Sequence, residues 1–306
     1  MIKMLKICVL NLLVFLFPIS CTDDLTPTDE VVVEVEESPL EKQGRQWLET
    51  LCSERMRGRR IGTSGDKLAY DFLISELQKF GYKPQTQEFK LNNGVLARNI
   101  IITIPGQIDS AIVIGAHYDG ANESYENAHY PAANDNASGC VAMLHFLQQC
   151  LLKPLSTKYT VVCCLWDGEE VYEGLTYRGS RNYLQNLTKD ERSKILFYFN
   201  IDCIGHKHVD HPEIFLSYNG DERLKKTVEK ITKSNYLDLV IPLFPGRLNS
   251  DNVPFNSSGI QYMYFHDHNG YECPYPSHSL ADTPNAISIS RLIGVASCVK
   301  EAVEVF

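Results

Sequence analysis

Residues 111–119 read Ala-Ile-Val-Ile-Gly-Ala-His-Tyr-Asp, an apolar branched run that stops in an imidazole and a carboxylate. Composition of that kind, bounded by a polar turn, describes a strand of a buried sheet. Two later stretches repeat the plan. Tyr159 to Trp166 is followed by Asp167-Gly-Glu169-Glu170, and Ile195 to Ile201 is followed by Asp202. Asn99 to Ile104 supplies a further strand. Helical patterns alternate with these runs. Ala69, Phe72, Leu73 and Leu77 recur at helical spacing before Gly81 stops them; Val141, Leu144, Leu147 and Leu151 form a second face, and the stretch from Ser288 to Val305 a third. Strand and helix in alternation, with no internal repeat, predict an α/β fold: one domain of three layers, α/β/α, around a mostly parallel, mixed and twisted sheet. In such sheets ligands sit outside the carboxyl ends of the strands, so the polar residues that follow each apolar run are the ones to examine.

Five features lie there. His117 and Asp119 leave one strand end at a spacing that suits a metal ligand and the carboxylate that orients it. Asp135, within Asn134-Asp-Asn-Ala-Ser-Gly139, stands just before a helix, where capping is the bland alternative. Glu169 and Glu170 are either solvated charge or a divided pair, one binding metal and one moving protons. Asp202 directly follows an apolar run and needs a partner if buried. His278 and Asp282 sit in a turn before the last helix. Each has a structural explanation alone; together they assemble the mixed nitrogen and oxygen donors that zinc prefers.

Taken in order, these motifs resemble the co-catalytic zinc exopeptidases, the family of bacterial leucyl-type aminopeptidases and the related glutaminyl cyclases. The likeness runs from about Gly62 to the C-terminus. The family's HxD, DNASG, GEE, strand-terminal Asp and HTxxDT appear as His117-Tyr-Asp119, Asp135 to Gly139, Gly168-Glu-Glu170, Asp202 and His278-Ser-Leu-Ala-Asp-Thr283, with supporting matches at Gly62-Thr-Ser-Gly65, Pro105-Gly106 and Gly179-Ser-Arg181. The resemblance implies a zinc-exopeptidase fold and two zinc ions. One would be held by His117 and Asp202, the other by Glu170 and His278, with Asp135 bridging them. It makes Glu169 the general base and Asp119 the orienter of His117. The implied activity is release of N-terminal residues from peptides with a free N-terminus.

The same resemblance leaves a glutaminyl cyclase open, with one zinc and pyroglutamate formation, although Ser277 stands where animal-type cyclases carry Trp. A non-catalytic binding domain is the remaining alternative, and it would be marked by missing ligands. There are departures from the pattern. Asn252 replaces the usual histidine in Ser250-Asp-Asn-Val-Pro-Phe255, Val171 to Tyr177 is extra, and the loop from Gly120 to Ala133 is long.

The N-terminus has the layout of a secretory signal peptide over residues 1–20, with lysines ahead of the apolar run Ile7 to Ile19. Ser20-Cys21 resembles a bacterial lipobox, which implies an exported lipoprotein of the outer membrane, facing the periplasm or the cell surface and touching membrane only through Cys21. A plainly cleaved signal and a soluble periplasmic enzyme is the alternative. Residues 21–43 are acid-rich and read as a flexible tether, leaving 44–306 as the catalytic domain. The net charge of −9 argues against nucleic acid as a partner. No CxxC pair occurs, and the adjacent Cys163 and Cys164 read as core residues on opposite faces of a strand. His206-Lys-His208-Val-Asp-His211 reads as a solvated loop rather than a third metal site, and Tyr271 and Tyr275 as candidates for lining a specificity pocket.

Overall fold

Neighbouring positions along the central strands feed two different cores. In β3 (Ile108–His117), Ile112 and Ile114 join one apolar cluster and Val113 the other; β4 (Tyr159–Trp166) splits Cys163 from Cys164 in the same way, and β5 (Ile195–Ile201) splits Phe197 and Phe199 from Tyr198. A strand covered on both faces must alternate like this. The computed structural model describes residues 36–121, 129–207, 213–216, 222–231, 248–267 and 277–306. The first core is closed by α1 (Pro39–Leu51), α2 (Ser64–Lys79), α3 (Ser138–Leu152), α6 (Glu222–Ile231) and α8 (Ile289–Val305). On the other face lie α4 (Arg178–Asn186) and α7 (Asn252–Ser257), where Phe255 stacks on Tyr198 with centroids 3.7 Å apart; α5 (Lys189–Ser193) is a short connector.

Among the described residues, seven strands follow the order β1-β2-β4-β3-β5-β7-β6, with β1 at Gln85–Lys90, β2 at Leu96–Ile104, β6 at Glu213–Leu216 and β7 at Gln261–His266. β3 pairs in parallel with β4 and β5, and β5 with β7, while β1, β2 and β6 make antiparallel pairs at the edges. This is the expected three-layer α/β/α arrangement around a mixed sheet. Register fixes the site. His117 lies beside Trp166, and Gly115 beside Asn200, so the chain leaves β3, β4 and β5 at one edge. Gly115 is needed there because a Cβ would come within 2.2 Å of Trp166 Nε1 and 2.4 Å of the Tyr198 hydroxyl. Those two groups begin a buried chain of hydrogen bonds through Asn200 to Ser250 beneath the site.

Two expectations need correction. The tether expected to extend to residue 43 gives way to helix at Pro39. Ser38 Oγ accepts from the Glu41 amide at 3.3 Å, and the Glu41 carboxylate accepts from the Ser38 amide at 2.8 Å. This capping box, with Pro39 at the first helical position, starts a helix whose Trp47, Leu48 and Leu51 are buried, and the acid-rich composition hid the signal. In α3, Leu151 is 47% exposed, whereas Cys140 to Leu147 are buried on every side. The helix is central rather than amphipathic, so a one-face pattern misplaces its last turn. Seven described cysteines, Cys163 and Cys164 among them, are free thiols. Among the described residues, no helix is long and apolar enough to cross a membrane.

Candidate metal centre

Each donor comes from a different loop at the carboxyl edge. His117 ends β3, Asp202 follows β5, Glu169 and Glu170 follow the turn after β4, Asp135 lies in the irregular turn Ala133–Ala137 ahead of α3, and His278 lies in the loop before α8. Residues far apart along the chain meet here. His117 Nε2 is 3.4 Å from Asp135 Oδ1 and 3.3 Å from Asp202 Oδ1. The other oxygen of the same carboxylate, Asp135 Oδ2, is 3.1 Å from His278 Nε2, which is itself 3.2 Å from Glu170 Oε1. The result is two trios that share Asp135, each with its donor atoms within 4.8 Å of one another. Glu169 belongs to neither trio, and its Oε2 is 3.9 Å from His117 Nε2.

Two buried aspartates brace this arrangement alike, each placing both carboxylate oxygens on two consecutive backbone amides. Asp119 accepts from Glu169 N and Glu170 N, both at 3.1 Å. Asp282 accepts from Asn134 N at 2.7 Å and Asp135 N at 3.1 Å. The Asp119 carboxylate also lies 3.5 Å from His117 Nδ1, but the Asp119 carbonyl is nearer, at 3.2 Å. A carbonyl only accepts, so in the neutral ring the hydrogen sits on Nδ1 and Nε2 turns its lone pair to the site. Capping does not occupy Asp135, because Asn136 Oδ1 takes the Gly139 amide at 2.9 Å instead. The Tyr264 hydroxyl donates to Asp202 Oδ2 at 3.2 Å, leaving Oδ1 toward His117.

The electrostatics are those of a place built for positive charge. Burial alone would push the His117 ring down, yet the charges of Asp202 and Glu169 hold it well above its ordinary range. Hydrogen bonds to Asp135 and then Glu170 push His278 up to about 11. For Asp135, burial works upward, but its bonds to both imidazoles leave it below the usual carboxylate range. Burial, then the charge of Asp135, raises Glu170 to about 7. Glu170 Oε1 is buried and faces the His278 ring nitrogen at 3.2 Å. Nitrogen and carboxylate oxygen donors in two compact trios fit borderline-soft divalent zinc.

All seven residues singled out in the sequence meet at this edge. Sequence reading placed Asp282 in the turn before α8 without giving it a role, and missed two further supports. Tyr264 sits inside an apolar strand and Arg59 within a basic run. Arg59 is fully buried and donates to the carbonyls of Leu51, Tyr118, Pro131 and Ala132 at 2.8–2.9 Å, tying the segment after α1 to the loops that carry His117 and Asp135. Asn252, where the family pattern has histidine, is buried and accepts from the Ser250 amide at 3.1 Å. His206 corrects the solvated-loop expectation, since it is 4% exposed and its amide is held by Asp267. His208, His211, Tyr271 and Tyr275 lie outside the described residues, as do Cys21 and residues 122–128.

Other proteins resemble this chain in sequence and in fold. Leupeptin-inactivating enzyme 1 of Streptomyces exfoliatus is 29% identical over 217 residues, which is 70% of this chain and 45% of that protein. The chain thus spans less than half the length of such curated relatives. Among solved structures, a zinc aminopeptidase from Bacillus subtilis superposes with a TM-score of 0.70 at 17% identity, covering 88% of this chain and 95% of that one. A glutaminyl cyclase from Fimbriiglobus ruber gives 0.69 at 18% identity, covering 89% and 98%. At these identities the structures speak for the fold alone. Residues 99–303, with all five donor loops and the general-base candidate among them in the order read above, match peptidase family M28, and the chain belongs to that family.

Proposed function

We propose that the chain is a zinc-dependent aminopeptidase that removes N-terminal residues from peptides. His117 and Asp202 would hold one zinc ion, Glu170 and His278 the other, and Asp135 would serve both. The observation that carries this reading is the sharing of Asp135 between two complete trios, which supports two ions rather than one. Bound there, the zinc pair supplies Lewis acidity toward the attacking water and the scissile carbonyl.

The rest belongs to the protein. Glu169, fixed through its amide by Asp119 and with its carboxylate beside His117, takes the proton from the attacking water and returns it to the leaving amine. Burial pushes the Glu169 carboxyl well above its ordinary range, the His117 charge opposes this, and the Glu170 and Asp202 charges add to it. A carboxyl balanced by such opposing influences suits a group that must both accept and release a proton. Asp119 and Asp282 hold the donor loops still, so binding does not have to order them.

Zinc analysis of the purified protein, paired with Leu-, Ala- and Gln-naphthylamide, tests the reading. Two zinc equivalents with amine released from the Leu or Ala substrates are expected. One equivalent with pyroglutamate formed from the Gln substrate would replace it with a cyclase, and no bound metal would replace it with a binding domain. Export and a lipid anchor at Cys21 complete the proposal, supported by the leader and Ser20-Cys21. Labelled palmitate should enter the wild type and not Cys21→Ser; equal labelling removes the anchor.

A further inference from the structure

A cavity of about 500 Å³ opens between the segment after α1 and the loops that lead to Asp135 and carry His278. Arg55 and Arg57 stand on one wall, both exposed, and neither guanidinium has an ionic or hydrogen-bonded partner among the described residues. Glu54 contributes one opposing charge, so the walls remain net cationic. The facing wall includes Leu280, two residues beyond His278, and Pro131, four before Asp135.

The wall is held in place. Arg57, Gly58 and Arg59 all adopt left-handed backbone, with φ of 47°, 70° and 57°. Two of the three are not glycine, and such a run persists only where the surroundings impose it. Here the buried Arg59 guanidinium imposes it through its bonds to the carbonyls of Pro131 and Ala132, and Gly120 N donates to the Arg59 carbonyl at 3.3 Å. The display of Arg57 is therefore coupled to the loops that carry His117 and Asp135. Access points the same way. Of the five donor residues only His278 is substantially exposed, at 53% of its side chain, and Leu280 of the cavity wall lies two residues beyond it in the same loop.

We infer that this cavity binds a carboxylate of the substrate, namely the free C-terminal carboxylate of a short peptide whose N-terminal residue occupies the metal centre. Arg55 and Arg57 present forked donors that match a carboxylate, and no partner has to be displaced first. The inference rests on the aminopeptidase reading and narrows its substrates to short peptides with an unblocked C-terminus. Each added residue moves that carboxylate by about 3.3–3.6 Å, so one length in a series should fit best.

The test compares Leu-Gly, Leu-Gly-Gly and Leu-Gly-Gly-Gly as free acids and as C-terminal amides, on zinc-loaded wild type and on the double variant R55Q/R57Q. At the best length the free acid should exceed its amide in kcat/KM by about tenfold, the worth of one charge-assisted pair. In the double variant the two should agree within about twofold, with Leu-naphthylamide turnover unchanged because it has no carboxylate to lose. Leu-Asp-amide against Leu-Asn-amide separates a C-terminal carboxylate from an acidic side chain, and a preference confined to that pair would overturn the C-terminal assignment. Calorimetric binding of triglycine and its amide to zinc-loaded Glu169→Gln gives a readout free of turnover. Tighter binding of the acid, lost in Glu169→Gln/R55Q/R57Q, supports the site even if no peptide is cleaved, an outcome that would sink the aminopeptidase reading alone. Equal affinities for acid and amide, or a preference that survives the arginine substitutions, would overturn the inference.

Discussion

The two halves of the metal centre are built differently. His117 and Asp202 leave adjacent parallel strands, are buried, and receive support from the sheet itself, including the Tyr264 hydroxyl of β7. His278 rides on a loop, half-exposed, with a left-handed backbone at φ 53°, and the loop is moored to the rest through Asp282. The first half is part of the scaffold and the second is attached to it. Asp135 offers one oxygen to each, so the two halves meet at that carboxylate.

The largest expected effect does not distinguish the halves and so calibrates the rest. Glu169→Gln should keep both zinc equivalents and lose about 10²- to 10⁴-fold in kcat, the usual weight of a general base. Full activity in that variant would remove Glu169 from the chemistry. Next comes the contrast between imidazoles. His278→Ala and His117→Ala should each cost a zinc equivalent, but added imidazole should restore binding and turnover only in the first, where the missing ring faces solvent. Equal rescue of both variants would break the comparison.

Smaller effects probe the supports. Asp282→Asn keeps the shape but sets an NH2 group against one of the two amides it now accepts from. Zinc affinity measured against a competing chelator should fall about 10- to 100-fold, chiefly at the loop half. An unchanged affinity would show that the loop is moored elsewhere. Tyr264→Phe removes one neutral hydrogen bond to Asp202, so its cost should stay near about fivefold in zinc affinity, felt at the strand-end half.

The comparison also marks what a sequence can disclose. β3, β4 and β5 are legible because burial on both faces leaves unbroken apolar runs, and the polar residues that end them are readable as donors only when taken together. β1 is mostly exposed and polar, and its strand character comes from pairing with β2, which no local pattern announces. Asp135 was undecidable from its own surroundings, since capping and ligation ask for the same side chain at a helix start. The answer came from its neighbour, because Asn136 takes the cap and frees the carboxylate. Tyr264 was hidden for a related reason: inside a strand an aromatic reads as packing, and only its place opposite Asp202 gives its hydroxyl a task. α1 failed to register because its capping box is written in the same acidic residues as the segment before it.

The shared carboxylate is the point on which the two halves stand or fall together, and its removal tests them directly. Zinc titration of the stripped protein against a competing chelator should give two tight equivalents in the wild type and none in Asp135→Ala, because that one substitution takes a donor from each trio. An Asp135→Ala protein that still binds one equivalent with wild-type affinity would show that the halves do not share a ligand and would contradict the account.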